Sequence, residues 1–209
     1  MLVKKMKVRN LNQKKNNWLD LIYMFLFVGL GNPTPNSENN RHNIGFKIID
    51  AINSKFKLSK QKPKFKGLLT TGNINEKKVY AIKPLTFMNN SGICIRELIE
   101  YFKIEAENII VFHDDLDIDF GKIKTKFGGS SAGHNGIESI DKFIVKDYSR
   151  VRIGIGKPND KIAVSDYVLK DFDDDEKQQL ETLKNNITEN LAILIDKKLD
   201  LFSSTVNNK

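Results

Sequence analysis

Three histidines are the whole imidazole complement of this 209-residue chain. His42 lies in Arg41-His42-Asn43-Ile44-Gly45-Phe46, where a helical apolar pattern begins. His113 closes the apolar run that starts at Ile109 and is followed by Asp114 and Asp115. His134 sits in Gly133-His134-Asn135-Gly136, whose glycines let backbone approach a neighbour closely. A neutral imidazole takes a proton from water near pH 7. A carboxylate beside it fixes the tautomer and stabilises the imidazolium that forms. Side-chain amides, abundant in the same loops, can hold a carbonyl or stabilise its developing oxyanion. Taken singly, each histidine reads as structural; the set suits attack of water on an ester. No serine in a nucleophile-elbow pattern is visible, which favours direct hydrolysis over an acyl-enzyme.

Other chemistries fit less well. There is no HxH or HExxH spacing, and the loops offer amides rather than further ligands, so no metal is expected. Gly29-Leu30-Gly31 lacks the third glycine of a dinucleotide fingerprint, and Pro33 and Pro35 follow it. Gly154-Ile155-Gly156-Lys157 lacks phosphate-loop spacing. Both pairs read as strand-end glycines, and no cofactor is expected. The single cysteine, Cys94, excludes an intrachain disulfide and stands between two isoleucines, as a buried thiol would.

These residues need elements to position them. Period-two and continuous apolar runs predict strands over Met24–Leu30, Leu68–Ile74, Val79–Lys83, Ile109–His113, Ile123–Phe127 and Val151–Ile155. Asn75-Glu76-Lys77 reads as a hairpin turn. Helical spacing appears at Ile44, Ile48, Ile52 and Phe56, and again at Ile95, Leu98, Ile99 and Phe102. A further helix is expected over Ile137–Phe143, and a long one from the acids at Asp173 to Glu176 towards Lys197 and Lys198. Strands alternating with helices predict a single-domain α/β fold, a three-layer α/β/α sandwich around a mixed sheet. In such sheets reactive groups collect where strands end and loops begin.

Composition sets the wider frame. Hydrophobic residues at 40% and charged ones at 29% fit an ordinary soluble globular protein. The formal net charge is +8, concentrated before residue 160, whereas residues 160–209 carry 7 lysines against 11 acids. A basic body suits a polyanionic partner such as nucleic acid, although lysine-rich codon usage would give the same count. Residues 1–23 are expected to form a basic extension, or to precede a true start at Met24, with residues 24–209 as the catalytic domain. The apolar run near Leu21 is too short to span a membrane and leads into Gly29 without a small-residue cleavage site.

Five segments in one order, FVGLGNP, RHNIGF, KPLTFMNNSG, HDDLDIDFGKIKTKFGGSSAGHNGI and RVRIGIGKP, resemble bacterial-type peptidyl-tRNA hydrolases. The resemblance covers about Phe25 to Phe202. It implies hydrolysis of the ester joining a peptide to the 3′-terminal ribose of tRNA, by a metal-free, monomeric, cytoplasmic enzyme. It places the general base on His42, its orienting acid on Asp114, and discrimination between N-blocked and free aminoacyl-tRNA on Asn32. An asparagine there could pair with a peptide amide through both its carbonyl and its NH₂. Substrate-binding positions fall on Phe87, Met88, Asn89 and Asn135, and tRNA phosphate contacts on Lys126 and Arg152. Two positions depart from the family pattern: Thr34 replaces a glycine and Ser37 a tyrosine. The rival reading is an RNA-binding relative without hydrolysis, similar to a chloroplast intron-splicing factor; a base and acid retained together argue for the enzyme.

Overall fold

The computed structural model describes residues 24–158 and 161–208; the expected basic extension over residues 1–23 lies outside them. Among the described residues seven strands form one mixed sheet in the order β2-β3-β4-β1-β5-β7-β6. They are β1 (Met24–Gly29), β2 (Lys62–Lys64), β3 (Gly67–Ile74), β4 (Lys77–Pro84), β5 (Ile109–Asp115), β6 (Ile123–Phe127) and β7 (Ser149–Gly154). β1 runs parallel to β4 and β5, and β5 parallel to β7. The β2-β3, β3-β4 and β6-β7 pairs are antiparallel.

The helices are α1 (Ile44–Phe56), α2 (Ser91–Phe102), α3 (Asn135–Asp141), α4 (Val164–Val168), α5 (Asp174–Glu189), α6 (Leu191–Ile195) and α7 (Leu199–Asn207). Successive strand residues point to opposite faces, so β1 divides its own side chains between two cores. Phe25 and Phe27 pack with α1, α5, α6 and α7; Leu26 and Val28 pack with α2 and α3. Burial on both faces explains why β1 and β5 read as continuous apolar runs. The expected three-layer α/β/α sandwich is what forms. No described helix is long and apolar enough to cross a membrane.

Two details differ from expectation. β2 is Lys-Pro-Lys, an exposed edge with no apolar residue to announce it; lysine and proline protect such an edge from further pairing. The long C-terminal helix breaks at Asn190, whose φ of −105° and ψ of 8° interrupt the ladder before α6. The apolar spacing carries through Ile187, Leu191 and Leu194, which hides the break from periodicity. The expected hairpin turn is present: Asn75 and Glu76, at φ 47° and 63°, form the two left-handed residues that suit strand twist.

One contact positions the site. A Cβ on Gly45 would lie 2.4 Å from the Leu30 nitrogen and from the Phe112 oxygen, and one on Gly29 would lie 2.3 Å from the Gly45 oxygen. Glycine at both places lets the first turn of α1 press onto the ends of β1 and β5. β1 lies between β4 and β5, and the chain crosses from one side of it to the other through α2. The loops after these three strands therefore open at one switch point, the crevice where open α/β sheets bind ligands.

Candidate active site

His42 lies in a one-turn 3-10 helix, Arg41–Asn43, that leads into α1. Its Nδ1 is 2.9 Å from both Oδ1 and Oδ2 of Asp114. Asp114 is on the α1 face of β5 because strand alternation puts Ile110, Phe112 and Asp114 on one side. Both groups are buried, at 8% and 3% exposure.

Asp114 has a second partner. His134 Nε2 lies 3.0 Å from its Oδ1. His134 Nδ1 accepts the backbone N–H groups of Gly136 and Ile137 at 3.1 and 3.3 Å, capping α3. A nitrogen that accepts two N–H groups carries no proton, so the proton of His134 is on Nε2 and points at Asp114. Burial works to raise the Asp114 carboxyl, but His134 and then His42, by charge and hydrogen bonding, hold it well below the usual carboxylate range. The carboxylate is therefore ionised at neutral pH. It accepts the hydrogen bond of the His42 Nδ1–H, which leaves His42 Nε2 bare, the tautomer a general base requires.

The same tautomer bears on metals. His42, Asp114 and His134 each offer a ligand atom within 4.8 Å of the others, a two-histidine, one-carboxylate set. A metal on His134 Nε2 would need the lone pair that the α3 cap forces that nitrogen to spend on a proton. The donor set suits hydrogen bonding and does not suit a metal.

His113 takes no part in that triad. It faces the α3 side of β5, donates from Nδ1 to the Asp114 carbonyl at 2.7 Å, and meets His134 edge to face at 4.7 Å between ring centroids. Burial first, then the neighbouring His134, keep its pKa well below the ordinary histidine value. It is a neutral core histidine.

Asn32 follows β1. Its side-chain oxygen accepts the Met88 N–H at 3.0 Å. Asn43 grips its backbone, accepting the Asn32 N–H at 2.8 Å and donating to the Asn32 carbonyl at 2.9 Å. That bond takes one lone pair of the Asn32 oxygen and so fixes which way the amide faces.

Phe87 precedes a second short turn, Met88–Asn90, with φ 60° and ψ 161° and 52% exposure. A bulky residue held at positive φ stores strain, a condition that clusters at functional sites. Met88 is buried, and its sulfur fills the space where a side chain on Gly136 would be, 2.4 Å from that Cβ position. The turn thus packs on α3, which brings exposed Asn89 and exposed Asn135 to neighbouring elements.

Lys126 and Arg152 stand further off, on the antiparallel β6-β7 pair. Their cross-strand neighbours are Arg150 and Lys124 respectively, and Arg152 also lies beside His113 in register. Lys126 is exposed; Arg152 donates from Nε to Asp115 at 2.7 Å. Buried Arg150, which sequence reading passed over, holds the glycine-rich loop through the carbonyls of Gly128 and Ser130. Thr34 and Ser37 bond to each other at 2.6 Å, and Ser37 is buried rather than offered to a ligand. Burial pushes the Cys94 thiol up to about 12, so it is no nucleophile.

Residues 26–209 match the model of the peptidyl-tRNA hydrolase family. The chain belongs to that family. A peptidyl-tRNA hydrolase of Pelagibacter ubique is 81% identical over 186 residues, 89% of this chain and 100% of the relative. One from Ehrlichia canis is 45% identical over 88% of this chain and 94% of its own. The crystal structure of peptidyl-tRNA hydrolase from Acinetobacter baumannii superposes with a TM-score of 0.82 at 33% identity, covering 88% of this chain and 95% of the other. Membership makes the chain a hydrolase. The expected resemblance and enzyme class both hold.

Proposed function

We propose that this peptidyl-tRNA hydrolase family member cleaves the ester between a peptide and the 3′-terminal ribose of tRNA, with His42 as general base on water. The observation that supports this reading best is the bond of His42 Nδ1 to both oxygens of an ionised Asp114. His42 Nε2 takes a proton from water as the water oxygen attacks the ester carbonyl. The tetrahedral intermediate then expels the ribose 3′ oxygen, which recovers that proton from the imidazolium. The products are a free peptide and a tRNA with its 3′-hydroxyl restored. The NH₂ groups of Asn89 and Asn135 hold the substrate and its oxyanion, Met88 walls the pocket, and the exposed ring of Phe87 covers the entrance. Lys126 and the terminal amino groups of Arg152 grip a tRNA phosphate. All these groups lie on one chain, so a monomer suffices in the compartment where translation runs, the cytoplasm. The steps need no metal or cofactor.

Selectivity belongs to Asn32 in this reading. Met88 holds its oxygen, so Asn32 offers N–H donors, which suit the amide carbonyl of a peptidyl group. The cationic amine of free aminoacyl-tRNA would meet those donors, a poorly solvated charge. Asn32→Asp adds an acceptor for the ammonium. The ratio of kcat/KM for N-acetyl-aminoacyl-tRNA over free aminoacyl-tRNA should then fall about tenfold, equivalent to about 1.4 kcal/mol. An unchanged ratio with activity intact would move discrimination away from Asn32.

A further inference from the structure

We infer that Arg41 is a positioning residue for His42, seated in a socket built by residues 167–176 of the C-terminal segment. The inference rests on His42 as the base in the proposed function. A 3-10 turn sends three consecutive side chains in three directions. Here Asn43 is fastened to the loop after β1, His42 to β5, and Arg41 to the segment that includes α4 and opens α5. Among the described residues the His42 side chain is hydrogen-bonded at Nδ1 alone, and its ring rests against that of His134 at 5.0 Å between centroids. The direction of its bare Nε2 therefore depends on how the turn itself is held.

The Arg41 socket is specific. Its backbone N–H donates to the Lys170 carbonyl at 3.0 Å and Nη1 to the Asp171 carbonyl at 2.7 Å. Nη2 reaches both Glu176 oxygens at 2.8 and 2.7 Å. The guanidinium lies over the Tyr167 ring at 4.7 Å and the Phe172 ring at 5.1 Å. The arginine and glutamate side chains are 10% and 18% exposed, so the pair is shielded from solvent. Each wall is fixed in turn. Tyr167 donates its hydroxyl to the Ile155 carbonyl at 2.6 Å, and Glu176 also accepts the Asp173 N–H at 2.9 Å as part of the α5 capping box. A planar, forked cation between two rings is a task for arginine; a lysine ammonium has neither the plane nor the fork. Nothing in the socket contacts the reacting atoms. Its effect passes through the placement of His42, where a misplacement of about 1 Å can cost on the order of 10²-fold in rate.

The test compares Arg41→Lys, Glu176→Gln and His42→Ala for kcat and KM on N-acetyl-aminoacyl-tRNA, alongside thermal melts. Arg41→Lys should lower kcat roughly tenfold or more with KM within about twofold, and Glu176→Gln should move kcat the same way by less. The double variant should be little worse than Arg41→Lys, since both substitutions break one unit. Variants that melt cooperatively yet keep wild-type kcat would reduce the socket to a structural staple and overturn the inference. Should Arg41→Lys fail to fold, Glu176→Gln decides alone. An active His42→Ala would instead overturn the base assignment, a distinguishable failure.

Discussion

The turn at residues 41–43 and the basic edge at β6-β7 handle the same proposed substrate by opposite means. In the turn every side chain is buried and fastened to a different wall. On the edge, Lys124 and Lys126 are exposed on an outer strand, and among the described residues only Arg152 has a carboxylate partner. Proton transfer needs the acceptor atom within hydrogen-bond reach of a positioned water, so small displacements matter. Attraction between a lysine and a phosphate falls slowly with distance and tolerates a mobile side chain. The fold spends its packing where geometry is unforgiving.

That contrast can be broken most sharply at Asp114. Asp114→Asn keeps the shape but lets the amide favour the wrong His42 tautomer, so kcat should fall about 10²-fold or more with KM little changed. Stopped turnover of N-acetyl-aminoacyl-tRNA measures it, and a near wild-type kcat would show that the turn is not the reacting centre. Lys126→Ala should do the reverse. KM should rise several-fold at fixed kcat, and the slope of log KM against log salt should drop by about 0.9, one phosphate contact. An unchanged slope would shift the clamp to Lys122 or Lys124.

The smallest effect concerns the rigid core beneath the turn. His113 is buried with a lowered pKa, so below the ordinary value of 6.5 the unfolded chain takes up a proton that the folded chain refuses. Stability should therefore fall as pH drops below about 6.5, by up to about 1.4 kcal/mol per pH unit for this group. The charged and titratable groups around it are Asp114, His134 and Arg150. Asp114, whose pKa is lowered, withdraws its own contribution only below about pH 4. Melting His113→Gln and wild type between pH 7 and pH 5.5 tests this; parallel curves would contradict it.

Much of this was legible before any coordinates. The apolar runs announced six of seven strands, and two-sided burial explains why β1 and β5 carried no alternation. Strand parity alone places Asp114 and His113 on opposite faces, which separates the histidine that shares the α1 side from the one that does not. His134 was harder. Its glycine-flanked setting signalled close approach, but only the fold shows that one nitrogen caps α3 while the other holds Asp114. Asn43 and Arg41 were visible as neighbours of His42, without any mark of the walls they reach. Those partners lie 11 and 135 positions away, beyond any local pattern. The same holds for the Asn32 oxygen, taken by a backbone N–H 56 positions distant.

The central claim is that His42 removes a proton from water and does not serve to bind tRNA. Single-turnover hydrolysis of N-acetyl-aminoacyl-tRNA by His42→Ala, with tRNA affinity measured on the same preparation, tests it directly. The expected result is a rate reduced about 10³-fold with affinity within about twofold of wild type. A His42→Ala protein that still turns over at near the wild-type rate, or that loses tRNA affinity in proportion to its rate, would contradict the assignment.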